Sequence, residues 1–264
     1  MKSNSVRSLV LSEKHSLSLF DGALEDILEE LSQHEVFPNQ DKIVITAIHI
    51  GGLMQLENED YREALESSDL VYADGISVEL LAKIGGFRRI KRAPTTDLGI
   101  PMINLLQGSL KNRRLRVALI GGETDLANRA AHQLSRLTGC KIVYETHGFH
   151  QQDQWAGILS ELSEAKPDLV FVGLGSPYES LFIKSWYSEL PNAVYVTCGG
   201  WFGFLAGEEA RASKSMRKLG LEWAHRLILN PQRLHSRYRK GAVLLAGLSA
   251  SIFVRRLRNW MSNR

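Results

Sequence analysis

Residues 167–200 read PDLVFVGLGSPYESLFIKSWYSELPNAVYVTCGG. Two short runs of β-branched, aromatic and other apolar residues, 168–174 and 193–198, flank a helix-length segment that opens at Pro177. Neither run alternates apolar with polar, as a strand open to water on one face would. Two fully buried strands joined through a helix pair in parallel. Both runs close in glycine, which lets the chain turn sharply at a strand's end.

Working outward, the same rhythm recurs. Strands are expected at 42–48, 69–73, 116–120 and 141–145. Helices are expected at 22–35, 58–68, 76–84 and 151–165, with another over 124–137 that Gly139 ends. Thr95 or Thr96 is the expected cap of a further helix, through about residue 106. Alternating strands and helices predict an α/β fold, a Rossmann-like, mostly parallel sheet with helices on both faces. After Gly207 the strand signal stops. A helix is expected over 213–229, then another beyond Asn230 as N-cap and Pro231 as first helical residue. The expected division is a core over 1–207 and a helical basic appendage over 208–264.

Charge divides at nearly the same place. The chain of 264 residues has a net charge of only +3. Residues 211–264, however, hold thirteen of its 32 Lys and Arg and one of its 29 Asp and Glu, Glu222. That segment is +12 and the rest −9. A basic tail on an acidic body points to an anionic partner. Within the tail, Arg233, Arg237 and Lys240 share a helix face. Gly241–Val254 is uncharged, and RRLRNW follows it. Fourteen helical residues reach about 21 Å, short of a bilayer's ~30 Å apolar core. The run fits a helix lying in an anionic membrane surface, with a helix packed on the body or on a second subunit as the alternative. Nucleic acid is not the expected partner, because no reading motif is present. Two distant cysteines, Cys140 and Cys198, and an N-terminus without a signal-peptide core point to the reducing cytoplasm.

In open parallel sheets, ligands bind beyond the carboxyl ends of the strands. The residues standing there are Thr46, His49, Gly51-Gly52, Asp74-Gly75, Thr95, Thr96, Asp97, Gly121-Gly122, His147-Gly148, Gly173, Gly175, Ser176, Pro177 and Gly199-Gly200. So many glycines and small polar residues suit a phosphate-bearing ligand that approaches the backbone closely. Asp74, at a strand end, is placed either as a general base or as a helix cap. Asp97 has the same two readings, and His49 either binds a phosphate or is structural. Dinucleotide, P-loop and serine-hydrolase motifs are absent, as is a DxD pair after a strand. No cofactor or metal is expected; His147 and His150 lack an evident third ligand.

The motifs VYADGISVELLAKIGG, RAPTTDLG, VALIGGETDLANRAAHQL, PDLVFVGLGSP, GGWFGFLAG and LGLEWAHRLILNPQRLHSRY follow one another between residues 71 and 238. In content and order they resemble the bacterial WecG/TagA/CpsF glycosyltransferase family. The resemblance implies an inverting, metal-independent, peripheral enzyme at the cytoplasmic face of the plasma membrane. It would move a hexose from a UDP-sugar to a polyprenyl-diphosphate-linked sugar in surface-polysaccharide synthesis. It implies that Asp74 is the base, that Thr46 orients a substrate, and that Arg226, Arg233 and Arg237 hold the acceptor diphosphate. The strand-end amides near Gly121-Gly122, Gly175-Ser176 and Gly199-Gly200 would hold the nucleotide. The chain departs from the family pattern at Ile48, where Asn is usual. It departs also at Tyr178, Glu179 and Ser180, in place of Lys, Gln and Glu, and at Gly203, in place of Asp. These departures bear on the donor sugar. Two other readings stay open: a catalytically degenerate scaffold recruited to membranes, and a soluble nucleotide-binding enzyme with a homo-oligomerising tail.

Overall fold

The computed structural model describes residues 5–33 and 41–262, and of Arg233 the backbone only. Six strands form one sheet: β3 (Ile43–Ile48), β4 (Leu70–Ala73), β5 (Arg116–Gly121), β6 (Lys141–Thr146), β7 (Leu169–Gly173) and β8 (Val194–Thr197). Their order is β4-β3-β8-β7-β5-β6, and every pairing is parallel. All carboxyl ends therefore lie along one edge. The quoted β7–α8–β8 unit, with α8 at Tyr178–Ser185, forms the middle of the sheet.

Successive side chains point to opposite faces. Ile45, Tyr72, Leu119, Phe171 and Val196 face one core with α1 (Leu24–Gln33), α5 (Thr95–Gly108), α6 (Leu126–Thr138) and α9 (Trp201–Leu205). Val44, Ile120, Val172 and Tyr195 face the other with α7 (Trp155–Glu164) and α8. Both faces are covered, which is why the strands carry no polar alternation.

Expectation and structure differ in several places. The expected helix over 22–35 is seen as α1, and 34 and 35 lie outside the described residues. Neither Thr95 nor Thr96 caps α5. Pro94 is the cap residue without a side-chain bond, and Asp74, distant in sequence, accepts the Thr95 amide instead. The helix expected over 213–229 breaks into α10 (Lys214–Lys218) and α11 (Glu222–Leu229). Gly220, at φ +71, makes that break; a left-handed residue cannot continue a right-handed helix. An antiparallel hairpin, β1 (Val6–Val10) and β2 (Ser16–Phe20), was not foreseen. It buries Leu9, Leu17 and Leu19.

The segment after Asn230 is one helix, α12 (Pro231–Ser262), of 32 residues. It is seated on the core at two points. Gly241 lies against Ile50 of α2 (Ile50–Leu53), where a Cβ would fall 2.6 Å from the Ile50 side chain. Near its far end, Arg256 donates to the Ile84 carbonyl at 2.7 Å, satisfying the last turn of α4 (Ile76–Ile84). Between these points Leu244, Leu245, Leu248 and Ile252 pack beside α4. Among the described residues no helix is long and apolar enough to cross a membrane.

Candidate active site

A cleft of about 1070 Å³ opens over the carboxyl edge of the sheet. Its floor is built from strand ends: His49 after β3, Asp74-Gly75 after β4, Gly122 after β5, Gly173 to Ser176 after β7 and Gly199-Gly200 after β8. Tyr178, Leu181, Phe182 and Ser185 of α8 form one wall, and Glu123, Gly148, Phe149 and Gln152 another. The roof comes from the appendage: Glu222, Trp223 and Arg226 of α11, then Leu234, Arg237, Tyr238 and Gly241 of α12. A smaller groove of about 570 Å³, between Arg129, His132 and Leu205, lies away from every strand end.

Asp74 is anchored on one side only. Its Oδ1 accepts the Thr95 amide at 2.9 Å and the Thr95 hydroxyl at 3.4 Å. The Thr95 hydroxyl also meets the Tyr72 hydroxyl at 2.8 Å. Among the described residues Oδ2 has no hydrogen-bond partner, and the side chain lines the cleft. A carboxylate with one oxygen fixed and the other open is set to take a proton from a bound hydroxyl.

His49 sits beside it. Its Nδ1 accepts the Gly51 amide at 2.9 Å, capping α2, and lies 3.4 Å from an Arg237 guanidinium nitrogen. Burial pushes the imidazole down to about 4, helped by the Arg237 and Arg226 charges and opposed by Asp74. The ring is therefore neutral near neutral pH. Because Nδ1 accepts, Nε2 carries the proton and is the donor.

Two arginines reach the roof from the appendage. Arg226 stacks over the Phe204 ring with its guanidinium carbon 4.8 Å from the centroid. Its Nε is buried without a hydrogen-bond partner among the described residues. Arg237 lies over Gly51, which leaves no room for a Cβ there. α10, the segment before it and α11 are held to the core by ion pairs. Arg211 and Arg217 meet Asp97 Oδ1 at 2.8 and 3.2 Å, and Arg92 and Arg211 flank the buried Glu222 at 3.7 and 3.6 Å. Arg226 stands one turn beyond Glu222 on that helix.

The structure thus gathers Asp74, His49, Gly122, Gly175, Ser176, Tyr178, Gly199, Gly200, Arg226 and Arg237 around one cleft. Other candidates lie elsewhere. Thr46 is 1% exposed, and its hydroxyl meets Ser68 at 2.8 Å within the core. Thr96 and Asp97 do not line the cleft; Asp97 instead carries the ion pairs that hold α10 and the segment before it. Gly121 lies behind the lining at φ +134, where a Cβ would fall 2.3 Å from the Gly173 carbonyl oxygen. Glu179 is buried beneath the floor. The Arg233 side chain lies outside what is described. His147 and His150 stack ring on ring at 3.8 Å, and His150 Nε2 meets the Thr146 hydroxyl at 2.8 Å.

Sequence reasoning missed several lining residues. Trp223 and Tyr238 pack edge to face at 5.8 Å and lie inside the LGLEWAHRLILNPQRLHSRY stretch; helical spacing from Arg226 would have found Trp223, whereas Tyr238 sits on the next helix and is brought in only by the fold. Glu209 lines the cleft with its carboxyl against Gly203, where a Cβ would fall 3.5 to 3.8 Å from it. It fills the space beside a residue with no side chain, a pairing that no local signal announces.

Comparison with known proteins gives the family. The family described as Glycosyl transferase WecG/TagA/CpsF matches residues 13–260. The N-acetylglucosaminyldiphosphoundecaprenol N-acetyl-beta-D-mannosaminyltransferase of Bacillus subtilis (strain 168) is 27% identical over 220 residues, spanning 83% of this chain and 84% of that protein. The enzyme of the same name from Bacillus spizizenii (strain ATCC 23059 / NRRL B-14472 / W23) is 26% identical over 220 residues, 83% of each chain. A family match over nearly the full length takes in the sheet, the cleft and the appendage that roofs it. The chain belongs to the WecG/TagA/CpsF family and is a glycosyltransferase.

Proposed function

We propose that the protein transfers a hexose, with inversion, from a UDP-sugar to a hydroxyl of polyprenyl-diphosphate-linked N-acetylglucosamine. The observation that carries this reading is Asp74, with one oxygen held by Thr95 and the other open into a cleft roofed by Arg226 and Arg237. Asp74 takes the proton of the acceptor hydroxyl. The freed oxygen attacks the anomeric carbon from the face opposite the UDP. A carbon–oxygen bond to the sugar forms as the bond to UDP breaks, and UDP leaves with the electron pair.

The amides around Gly122, Gly175 and Gly199-Gly200 suit the nucleotide phosphates. Arg226 and Arg237 suit the acceptor diphosphate and the charge that grows on the leaving group. His49, neutral, donates from Nε2. The names of the two Bacillus relatives support the acceptor. Tyr178 and the Gly203–Glu209 pair stand on the cleft wall where the chain departs from the family pattern, so the donor sugar is assigned to them.

The acceptor's lipid tail requires a membrane at the cleft mouth, and the exposed side of α12 suits the cytoplasmic membrane surface. Val243, Phe253, Val254, Leu257 and Met261 are exposed along it, beside Arg255 and Arg258. An apolar stripe flanked by cations lies in an anionic interface without crossing it. The test is a donor screen. Purified protein is given each UDP-hexose and UDP-hexosamine with polyprenyl-diphosphate-N-acetylglucosamine in anionic vesicles, and products are weighed by mass spectrometry. Addition of one sugar from one donor is expected. Absence of transfer from every UDP-sugar contradicts the reading.

A further inference from the structure

Glu179 is a buried acid that the mechanism above does not use. It is 2% exposed, in the first turn of α8. Its Oε2 accepts the Gly199 amide at 3.0 Å, and its own amide donates to the Gly175 carbonyl at 3.1 Å. One residue therefore ties together the turns that leave β7 and β8, neighbours in the middle of the sheet. Both turns rest on glycines in the left-handed region, Gly175 at φ +77 and Gly199 at φ +52. A glycine there is free to leave that conformation unless something holds it. The Gly199 amide is held by this carboxyl.

We propose that Glu179 is a positioning residue for the donor: its carboxyl holds the Gly199 amide, and with it the shape of the Gly199-Gly200 turn that receives the donor's diphosphate. The proposal rests on the reading of the cleft as a UDP-sugar site.

The charge state of this carboxyl matters to an anionic ligand. Burial pushes it up to about 8, with Asp74 adding to the rise and the Gly199 and Gly175 contacts opposing it. The other titratable groups facing it are Tyr61 of α3 (Glu59–Glu66), Tyr72 of β4 and Cys198 beyond β8. Burial raises all three, so they are uncharged near neutral pH and Asp74 is the charged neighbour. Near neutral pH Glu179 is thus a neutral acid: one oxygen accepts from Gly199 and the other carries the proton. As pH rises past about 8, it gains a negative charge directly behind the phosphate turn.

The probe is UDP, whose binding is measured by calorimetry from neutral pH upward. For the wild type, affinity is expected to fall above about pH 8, by up to about tenfold per unit. Glu179→Gln keeps an oxygen for Gly199 and cannot ionise. It is expected to bind UDP near neutral pH and to lose the alkaline fall. Glu179→Ala, checked for folding by circular dichroism, leaves the Gly199 amide without its partner; it is expected to bind about tenfold more weakly than the wild type near neutral pH and to show no alkaline fall. Flat binding by the wild type across this range overturns the proposal. So does an alkaline fall that persists in Glu179→Gln, or wild-type affinity near neutral pH in folded Glu179→Ala. A wild type that binds no UDP at any pH overturns the donor reading itself, and the proposal with it.

Discussion

At the residue scale, the sequence placed Asp74 correctly at a strand end but gave no hint of its anchor. Thr95 lies on another element, and only the fold brings it to Oδ1. Thr46 shows the opposite case. Its position at the end of an apolar strand resembled a site, yet the strand's alternation turns it into the core toward Ser68. Glycines divide the same way. Gly121 and Gly139 both have positive φ, +134 and +71, but only at Gly121 would a Cβ strike backbone, the Gly173 carbonyl 2.3 Å away. Gly139→Ala is expected to cost about 1 kcal/mol and Gly121→Ala more than about 3 kcal/mol, read by denaturant unfolding. Glu179 gives a pH-dependent stability. Its folded value, about 8, lies above its ordinary 4.5, so folding takes up a proton. Stability is then greatest below the ordinary value and falls as pH rises toward about 8. Glu179→Gln lacks that slope. Its advantage over the wild type should grow from nothing near pH 4.5 to about 3 kcal/mol at neutral pH, from thermal melts across the range.

At the scale of elements, the parallel sheet was legible because five of its six strands are buried on both faces and leave an unmistakable apolar rhythm; only the edge strand β6 is partly open. The β1–β2 hairpin was not read, although SLSLF alternates as a half-buried strand does. Its partner strand, VRSLV, carries little pattern of its own. The break between α10 and α11 was also missed. Gly220 sits inside a helical pattern, and nothing local announces its left-handed backbone; a Cβ there would also fall 3.2 Å from the Ile76 side chain. Asp97, a candidate ligand from sequence, holds Arg211 and Arg217, while Glu222 holds Arg92. The Glu222 pair pins α11 and the Asp97 pairs pin the segment leading into it, and so together they set the placement of Arg226. Asp97→Asn is expected to raise the KM for the lipid acceptor several-fold while UDP affinity stays the same, and to speed proteolytic cleavage between residues 211 and 221. Equal KM and equal cleavage would show that the pairs do not hold the roof.

For the whole molecule, the division of charge before and after residue 211 acquires a geometry. The basic segment folds back as α10, α11 and α12, so that Arg226 and Arg237 face the cleft while Arg255 and Arg258 flank an exposed apolar stripe. Composition alone could not separate these two uses of positive charge, because only the path of the chain assigns each arginine to a side. Phe253→Glu with Leu257→Glu, both at exposed positions, is expected to abolish flotation with anionic vesicles while leaving the melting temperature unchanged. Unaltered flotation would remove the stripe from the membrane contact. The proposed transfer depends on Asp74 as the base within a cleft that binds donor independently of it. Single-turnover transfer from the UDP-sugar to the lipid acceptor, measured for the wild type and Asp74→Asn alongside UDP affinity, tests this directly. The prediction is a fall in transfer of about a hundredfold or more with UDP affinity retained; wild-type transfer by folded Asp74→Asn would contradict it.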